Sequence, residues 1–437
     1  MKWAIYNVIF FVAYLVLVPA FLLRMWRRGG YRARFADRFG RYPTEVLDRI
    51  RRGGVQRPVW IHAVSVGEVQ VAGQLMRALR EIDDSIWFVF STTSSTGWRT
   101  AEKVVGADDV LIYNPLDFPP FVRRAFNAVR PRMVILTETE IWPNFIRETK
   151  KRGLPLLLAN ARISDRSAPR YRKARFFLGE RFRAFDRISA QSDLDRDRLV
   201  AAGADPAAIE VTGSFKFDVA VRNEAKEREL REWIGDGEIL LGGSTWPGED
   251  SVLLDIYRRL VETRPGVKLV IAPRHFEKAD AVETNILAAG FACRRRSRDV
   301  KASSAEPRAA DGEPRTTVYL ADTTGELMGL FGIATVAFVG KSLCAHGSQN
   351  MIEPCLCGVP TIVGPYTENF RSVVSDLLAS AAIIQVQDAA VLEREVLRLF
   401  SDDGARAELG ARAVAAVASR RGATAKFAGD VFKVLSK

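Results

Sequence analysis

Histidine and cysteine are scarce in this chain: three of the first and four of the second in 437 residues. His62, His275 and His346 are too few to build a histidine-rich metal centre. Cys293, Cys344, Cys355 and Cys357 show neither a paired disulfide framework nor a repeated C-x-x-C zinc spacing. Reduced cytosolic thiols account for them, and Cys355 and Cys357, on either side of Leu356, read as packing residues. Acidic residues are in deficit, 52 against 64 Lys and Arg, for a net charge of +12. That balance points to an anionic partner or, equally, to a solvated arginine-rich surface. Nucleic acid is set aside as the partner, because the interleaved basic and aromatic pattern of that class is missing. No solenoid-type repeat is present.

What is present starts with an apolar run. Trp3 to Leu23 is broken only by Asn7 and Pro19, which is roughly the 20 residues needed to cross a hydrocarbon layer. Arg24, Arg27, Arg28, Arg32, Arg34, Arg38 and Arg41 follow it. They favour a cytoplasmic location for everything after the run and attract anionic lipid headgroups. No small-residue cleavage site intervenes, so the segment reads as an anchor rather than a signal peptide. A spanning helix and one lying in the interface both fit.

The remainder alternates apolar strand-like runs with helical periods, the signature of parallel βαβ units. Runs from Val59, Ile86, Val110, Arg132, Leu154 and Ile209 form a first series. A polar linker lies near Phe217 to Lys226. A second series starts at Glu238, Lys268, Thr316, Thr335, Pro360 and Ala382. The organisation expected is an anchor with its basic flank over 1–28, a first Rossmann-like domain over 29–216, a hinge over 217–226, and a second Rossmann-like domain over 227–437. The last helix has the option of packing back on the first domain. Two doubly wound domains would face a cleft, with ligands beyond the C-terminal strand ends. Ser297 to Pro314, polar and without apolar period, reads as a disordered surface loop.

Chemistry is therefore sought just after each strand. Gly67 in Ser65-Val66-Gly67-Glu68 reads as permitting a tight turn. Glu68 falls in the first turn of the helix that follows. It is either an ordinary dipole-complementing acid or an ionised carboxylate able to take a proton from a hydroxyl. Thr92 to Gly97 is either an anion-holding loop or a plain helix cap. Glu138 and Glu140, in Thr137 to Asn144, are two acids directly after a buried strand, costly unless paired or functional. Lys216, between Phe215 and Phe217, is a partly shielded cation suited to a carboxylate or phosphate, or a snorkelling surface lysine. In the second half, Gly243-Ser244-Thr245, Pro273-Arg274-His275, Thr323 to Leu327, and Gly340 to Ser342 with Gly347 to Glu353 are polar turns at successive strand ends. Together they indicate a nucleotide site, with Glu353 placed to accept bonds from ribose hydroxyls.

These segments resemble the 3-deoxy-D-manno-octulosonic acid (Kdo) transferases of lipopolysaccharide assembly. HAVSVGE (from His62), TETEIWPN (from Thr137), LANARISDRS (from Leu158), TGSFKFD (from Thr212), APRH (from Ala272), GELM (from Gly325), FVGKSL (from Phe338) and NMIEP (from Asn350) carry the resemblance, in order along the chain. It implies a GT-B glycosyltransferase fold and an inverting transfer of Kdo from CMP-Kdo onto a lipid A precursor, at the cytoplasmic face of a bacterial inner membrane. It further implies Glu68 as general base, with Glu138 and Lys216 as transition-state stabilisers. Pro273, Arg274, Thr324, Gly325, Glu326, Asn350, Met351, Ile352 and Glu353 match the CMP-binding positions. Ser348-Gln349 stands where some relatives have Gly-His, and Thr324 where some have a bulkier residue. No cofactor is expected. A nucleoside monophosphate leaving group weakens the need for a divalent ion, so the reaction is expected to be metal-independent. The alternative is another membrane-associated GT-B enzyme, such as a UDP-sugar transferase or a sugar-nucleotide epimerase.

Overall fold

Apolar runs become strands where both faces are covered, and this chain builds two such sheets. The computed structural model describes residues 6–8, 34–52, 56–299 and 316–436. It divides into two units, Met1–Val219 with Gly422–Lys437, and Ala220–Arg421. The anchor expected over 1–28 lies outside the described residues apart from Tyr6, Asn7 and Val8. Among the described residues no helix is long and apolar enough to cross a membrane.

The first unit is built on β1 (Val59–His62), β2 (Phe88–Thr92), β3 (Val110–Tyr113), β4 (Met133–Thr137), β5 (Leu156–Ala161), β6 (Arg187–Ala190) and β7 (Ile209–Val211). The order is β3-β2-β1-β4-β5-β6-β7, and the strands run parallel. Side chains alternate between two buried faces. Trp60, Val134 and Leu158 point into one core, and Ile61, Ile135 and Leu157 into the other. This explains why these strands read as continuous apolar runs rather than as alternating ones. Helix α1 (Val66–Ile82) follows β1 and covers the second face. Short helix α2 (Lys216–Val219) follows β7.

The second unit opens with α3 (Glu224–Ile234). Its strands are β8 (Ile239–Thr245), β9 (Lys268–Pro273), β10 (Ala292–Arg295), β11 (Thr317–Leu320), β12 (Val336–Val339), β13 (Thr361–Val363) and β14 (Ile384–Gln385). Their order is β10-β11-β9-β8-β12-β13-β14, again parallel. The helices that bear on the site are α4 (Glu249–Thr263), α5 (Arg296–Asp299), α6 (Leu327–Ile333) and α7 (Ile352–Leu356). The polar stretch from Ser297 begins inside α5, where Asp322 accepts from the Ser297 N–H at 2.8 Å. Residues 300–314 of that stretch lie outside the described residues.

β1 beside β4, and β8 beside β12, are the switch points of the two sheets, where connections leave in opposite directions and open a crevice beyond the strand ends. The chain also returns. Helix Ala423–Leu435 belongs to the first unit, with Phe427 and Val431 buried in the core that α1 covers. Asp218 holds its start by accepting from the Gly422 and Thr424 N–H groups, each at 2.8 Å. Phe427→Ala is expected to lower stability by about 3–5 kcal/mol through the cavity it leaves. Asp218→Ala should cost about 1 kcal/mol through the lost cap. Thermal or urea unfolding of the two variants checks both the order and the sizes.

Candidate active site

The turn after β1 is a helix start. Ser65 is extended at φ −87°, its hydroxyl accepts from the Glu68 N–H at 3.3 Å, and Glu68 Oε1 accepts from the Ser65 N–H at 3.3 Å. This capping box satisfies donors that a helix start otherwise leaves open. Gly67 sits inside the first turn of α1 with open space around it, so the turn is made by Val64 and Ser65 and not by the glycine. Glu68 Oε2 also accepts from the Val64 N–H at 3.2 Å and from the Thr137 hydroxyl at 3.0 Å. Thr137 ends β4, so the switch point itself brings these two residues together. Burial, then the charge on Glu138, raises the Glu68 carboxyl above the ordinary range, against the bonds from Ser65, Val64 and Thr137. A carboxylate of raised proton affinity is a better base.

Glu138 follows directly, with φ at 48°, and Asn160 at the end of β5 has φ 53°. Left-handed backbone is costly for a residue with a Cβ and tends to collect at functional sites. The Glu138 carboxylate accepts from Arg162 Nε at 2.8 Å and lies 4.0 Å from Lys216 Nζ. Burial pulls the Lys216 ammonium down from the ordinary lysine range, against the pull of Glu138. Asn160 Oδ1 accepts from the Phe215 N–H at 3.0 Å, which fixes the turn carrying Lys216.

Glu140 completes an acidic cluster. It accepts from Trp142 Nε1 at 2.7 Å, and its Oε2 lies 3.8 Å from His62 Nε2. Burial, then the charge on Glu68, raises it to about 7. His62, fully buried on β1 with Nδ1 2.9 Å from the Ser91 hydroxyl, is lowered to about 4 by that burial.

In the second unit, a cavity of about 140 Å³ lies beyond β9 and β11, lined among others by Ser244, Pro273, Arg274, Thr324, Gly325 and Glu326. The Arg274 N–H donates to the Thr245 carbonyl at 3.0 Å. Gly325 has φ 86°, a conformation glycine adopts without strain. The Glu326 carboxylate is already taken up by the Thr323 hydroxyl and by Arg296 Nη2 at 3.1 Å, so it shapes this loop. Asn350 and Glu353 meet each other, Nδ2 to Oε1 at 3.0 Å, while Met351 and Ile352 are fully buried. Burial raises the Glu353 carboxyl, and the Asn350 bond and the nearby Arg274 charge oppose the rise.

A family model described as 3-deoxy-D-manno-octulosonic-acid transferase (kdotransferase) matches residues 33–219. A 3-deoxy-D-manno-octulosonic acid transferase of Bordetella pertussis is 35% identical over 423 residues, covering 93% of this chain and 94% of the relative. One of Haemophilus influenzae is 33% identical over 397 residues, covering 90% and 89%. The chain belongs to the Kdo transferase family. A solved glycosyltransferase of Rickettsia africae aligns with a TM-score of 0.57 at 13% identity, covering 88% of this chain and 100% of that one. That likeness shows the fold alone, the GT-B arrangement of two parallel-sheet α/β domains.

For a Kdo transferase, the strand ends bring together Glu68, Glu138 and Lys216 in one unit. In the other they bring together Pro273, Arg274, Thr324, Gly325 and Glu326. Asn350 and Glu353 join the second set through Arg274. Ser348 has φ 60°, so a serine occupies a left-handed position where glycine would be unstrained. Sequence reasoning assigned no role to His62, Arg162 or Asn160. The signal available for the last two was their place in LANARISDRS, Asn160 at the end of β5 and Arg162 directly after it.

Glu140 supplies a pH test. Its proton affinity is raised on folding, from an ordinary carboxyl near 4.5 to about 7. Its contribution to stability is full below about pH 4.5 and is lost as pH rises through 7. Glu140→Gln removes that loss while keeping an acceptor for Trp142. Relative to the unmodified protein, the variant is expected to gain stability between pH 5 and pH 8, by on the order of 3 kcal/mol. Thermal melts of both proteins at the two pH values check it.

Proposed function

We propose that this Kdo transferase is an inverting, metal-independent enzyme that moves Kdo from CMP-Kdo onto a lipid A precursor. The observation that carries the reading is Glu68: a carboxylate of raised proton affinity at the β1–β4 switch point, in a family that transfers an acidic sugar. Glu68 takes the proton of an acceptor hydroxyl. The freed oxygen attacks the anomeric carbon on the face opposite the phosphate, the new glycosidic bond forms as the bond to phosphate breaks, and CMP departs with both electrons. Configuration at that carbon is inverted.

Lys216 and Glu138 act as transition-state stabilisers: a partly desolvated ammonium for negative charge, and a carboxylate for positive charge building at the anomeric carbon. Arg274 meets the donor phosphate at the mouth of the 140 Å³ cavity. The leaving group bears a single phosphate, which weakens the need for a divalent ion beside the cationic side chains.

Trp3 to Leu23 serves as the membrane anchor, with the arginines that follow keeping both units at the cytoplasmic face of an inner membrane. Anionic lipid and the phosphates of the acceptor are the partners that the net charge of +12 suits.

Glu68→Gln is expected to abolish transfer, by at least about a hundredfold, with CMP affinity close to unchanged. Product mass analysis with CMP-Kdo and a tetraacylated lipid A precursor, together with CMP titration, reads both. Full transfer by the variant would remove the base assignment. EDTA should leave the rate unaltered, and a loss restored by magnesium would overturn metal independence. Tighter binding of UDP than of CMP would move the donor to another nucleotide sugar.

A further inference from the structure

The second unit carries a second set of cations besides Arg274. Trp246 directly follows β8, and Lys341 follows Gly340 just beyond β12, so both stand at the β8–β12 switch point. Lys341 Nζ lies 5.0 Å from the centre of the Trp246 ring, and Lys278 Nζ lies 5.9 Å from it. Neither ammonium meets a carboxylate among the described residues. By contrast, Arg295 is paired with Glu283 and Asp322, and Arg296 with Glu326.

The placement is built rather than incidental. Lys341 and Ser244 both have left-handed backbone, φ 56° and 55°. A Cβ on Gly340 would stand 2.5 Å from the Ser244 carbonyl oxygen, so the two turns are in backbone contact. The fully buried Glu249 locks them, accepting from the N–H groups of Trp246 and Lys341 at 2.8 Å and of Ser342 and Leu343 at 3.0 Å. Ser244 also lines the cavity that Arg274 lines. Lys341 therefore follows a turn in backbone contact with Ser244, a lining residue of the proposed donor cavity, while Trp246 and Lys278 line the adjoining pocket that shares Pro273 with it.

A nucleoside monophosphate linked to a sugar acid presents two anions, the phosphate and the sugar carboxylate. We infer that Lys341, with Lys278 at the same Trp246 indole, forms the subsite for the carboxylate of the transferred sugar, leaving Arg274 to the phosphate. The indole offers an apolar face to the sugar's C–H groups beside the charge. The inference rests on the CMP-Kdo donor proposed above.

The test separates sugar from nucleotide. Lys341→Met should raise KM for CMP-Kdo about ten- to a hundredfold, as expected for loss of a charge-assisted bond. The inhibition constant of CMP alone, which has no sugar carboxylate, should stay within about twofold. Lys341→Arg, which keeps the charge, should retain most of the donor affinity and shows that the position tolerates replacement. Equal weakening of CMP and CMP-Kdo would give Lys341 to the phosphate and overturn the inference, as would an unchanged KM. An unmodified protein that binds CMP but shows no saturable use of CMP-Kdo would overturn the donor assignment itself, before any variant is read.

Discussion

Parallel strands that end at a switch point release backbone N–H groups that no neighbouring strand can take up, and buried donors without partners are costly. Both units meet this constraint with a glutamate at the start of the helix after the first strand. In the first unit Glu68 accepts from the Val64 and Ser65 N–H groups. In the second, Glu249 accepts from five such groups drawn from two turns. The topology is the same and the chemistry has diverged. Glu249 is sealed, with no exposure, whereas Glu68 keeps 8% of its surface open. One carboxylate is sealed against backbone and the other keeps an open edge.

The rest of the first site follows from gathering three carboxylates in one place. Glu138 and Glu140 both crowd Glu68, and left alone they would hold protons on one another. Arg162 and Lys216 bear on Glu138, while Glu140 faces the unpartnered Nε2 of a neutral His62. The cluster therefore sorts its members: Glu138 is tied to cations, Glu140 is pushed toward the neutral form by burial, and Glu68 is left between them. The left-handed backbone at Glu138 is the conformational counterpart of this arrangement, because an extended residue there would turn its carboxylate to the other face of the sheet.

Much of this was legible in the chain itself. Long apolar runs gave away the buried strands, and searching just after each one led to Glu68, Glu138, Lys216 and Arg274. Two strands escaped notice. β6 begins on the exposed Arg187 and has only three buried residues after it, and β10, at the sheet edge, ends in Arg294 and Arg295. Neither offers the apolar contrast by which a strand is recognised. The polar loop expected from Ser297 hid a helical turn, because its order comes from distant partners, Asp322 and Trp233, and not from local periodicity. His62 and Glu140 lie far apart in sequence, and only the pairing of β1 with β4 makes them neighbours. Glu249 could be seen as an acid on a helix, but its five donors come from backbone that no residue code announces.

The chain passes between the units twice, at 219–220 and again at 421–422, so the first unit is discontinuous and the second is one uninterrupted stretch. As a nascent chain leaves the ribosome, the second unit has all of its residues available while the first still lacks the helix that buries Phe427 against its sheet. Until that helix arrives, the face covered by α1 stays partly open, with Asp218 waiting to cap the incoming segment. Order of synthesis and order of completion are therefore reversed: the half that begins the chain is the last to close.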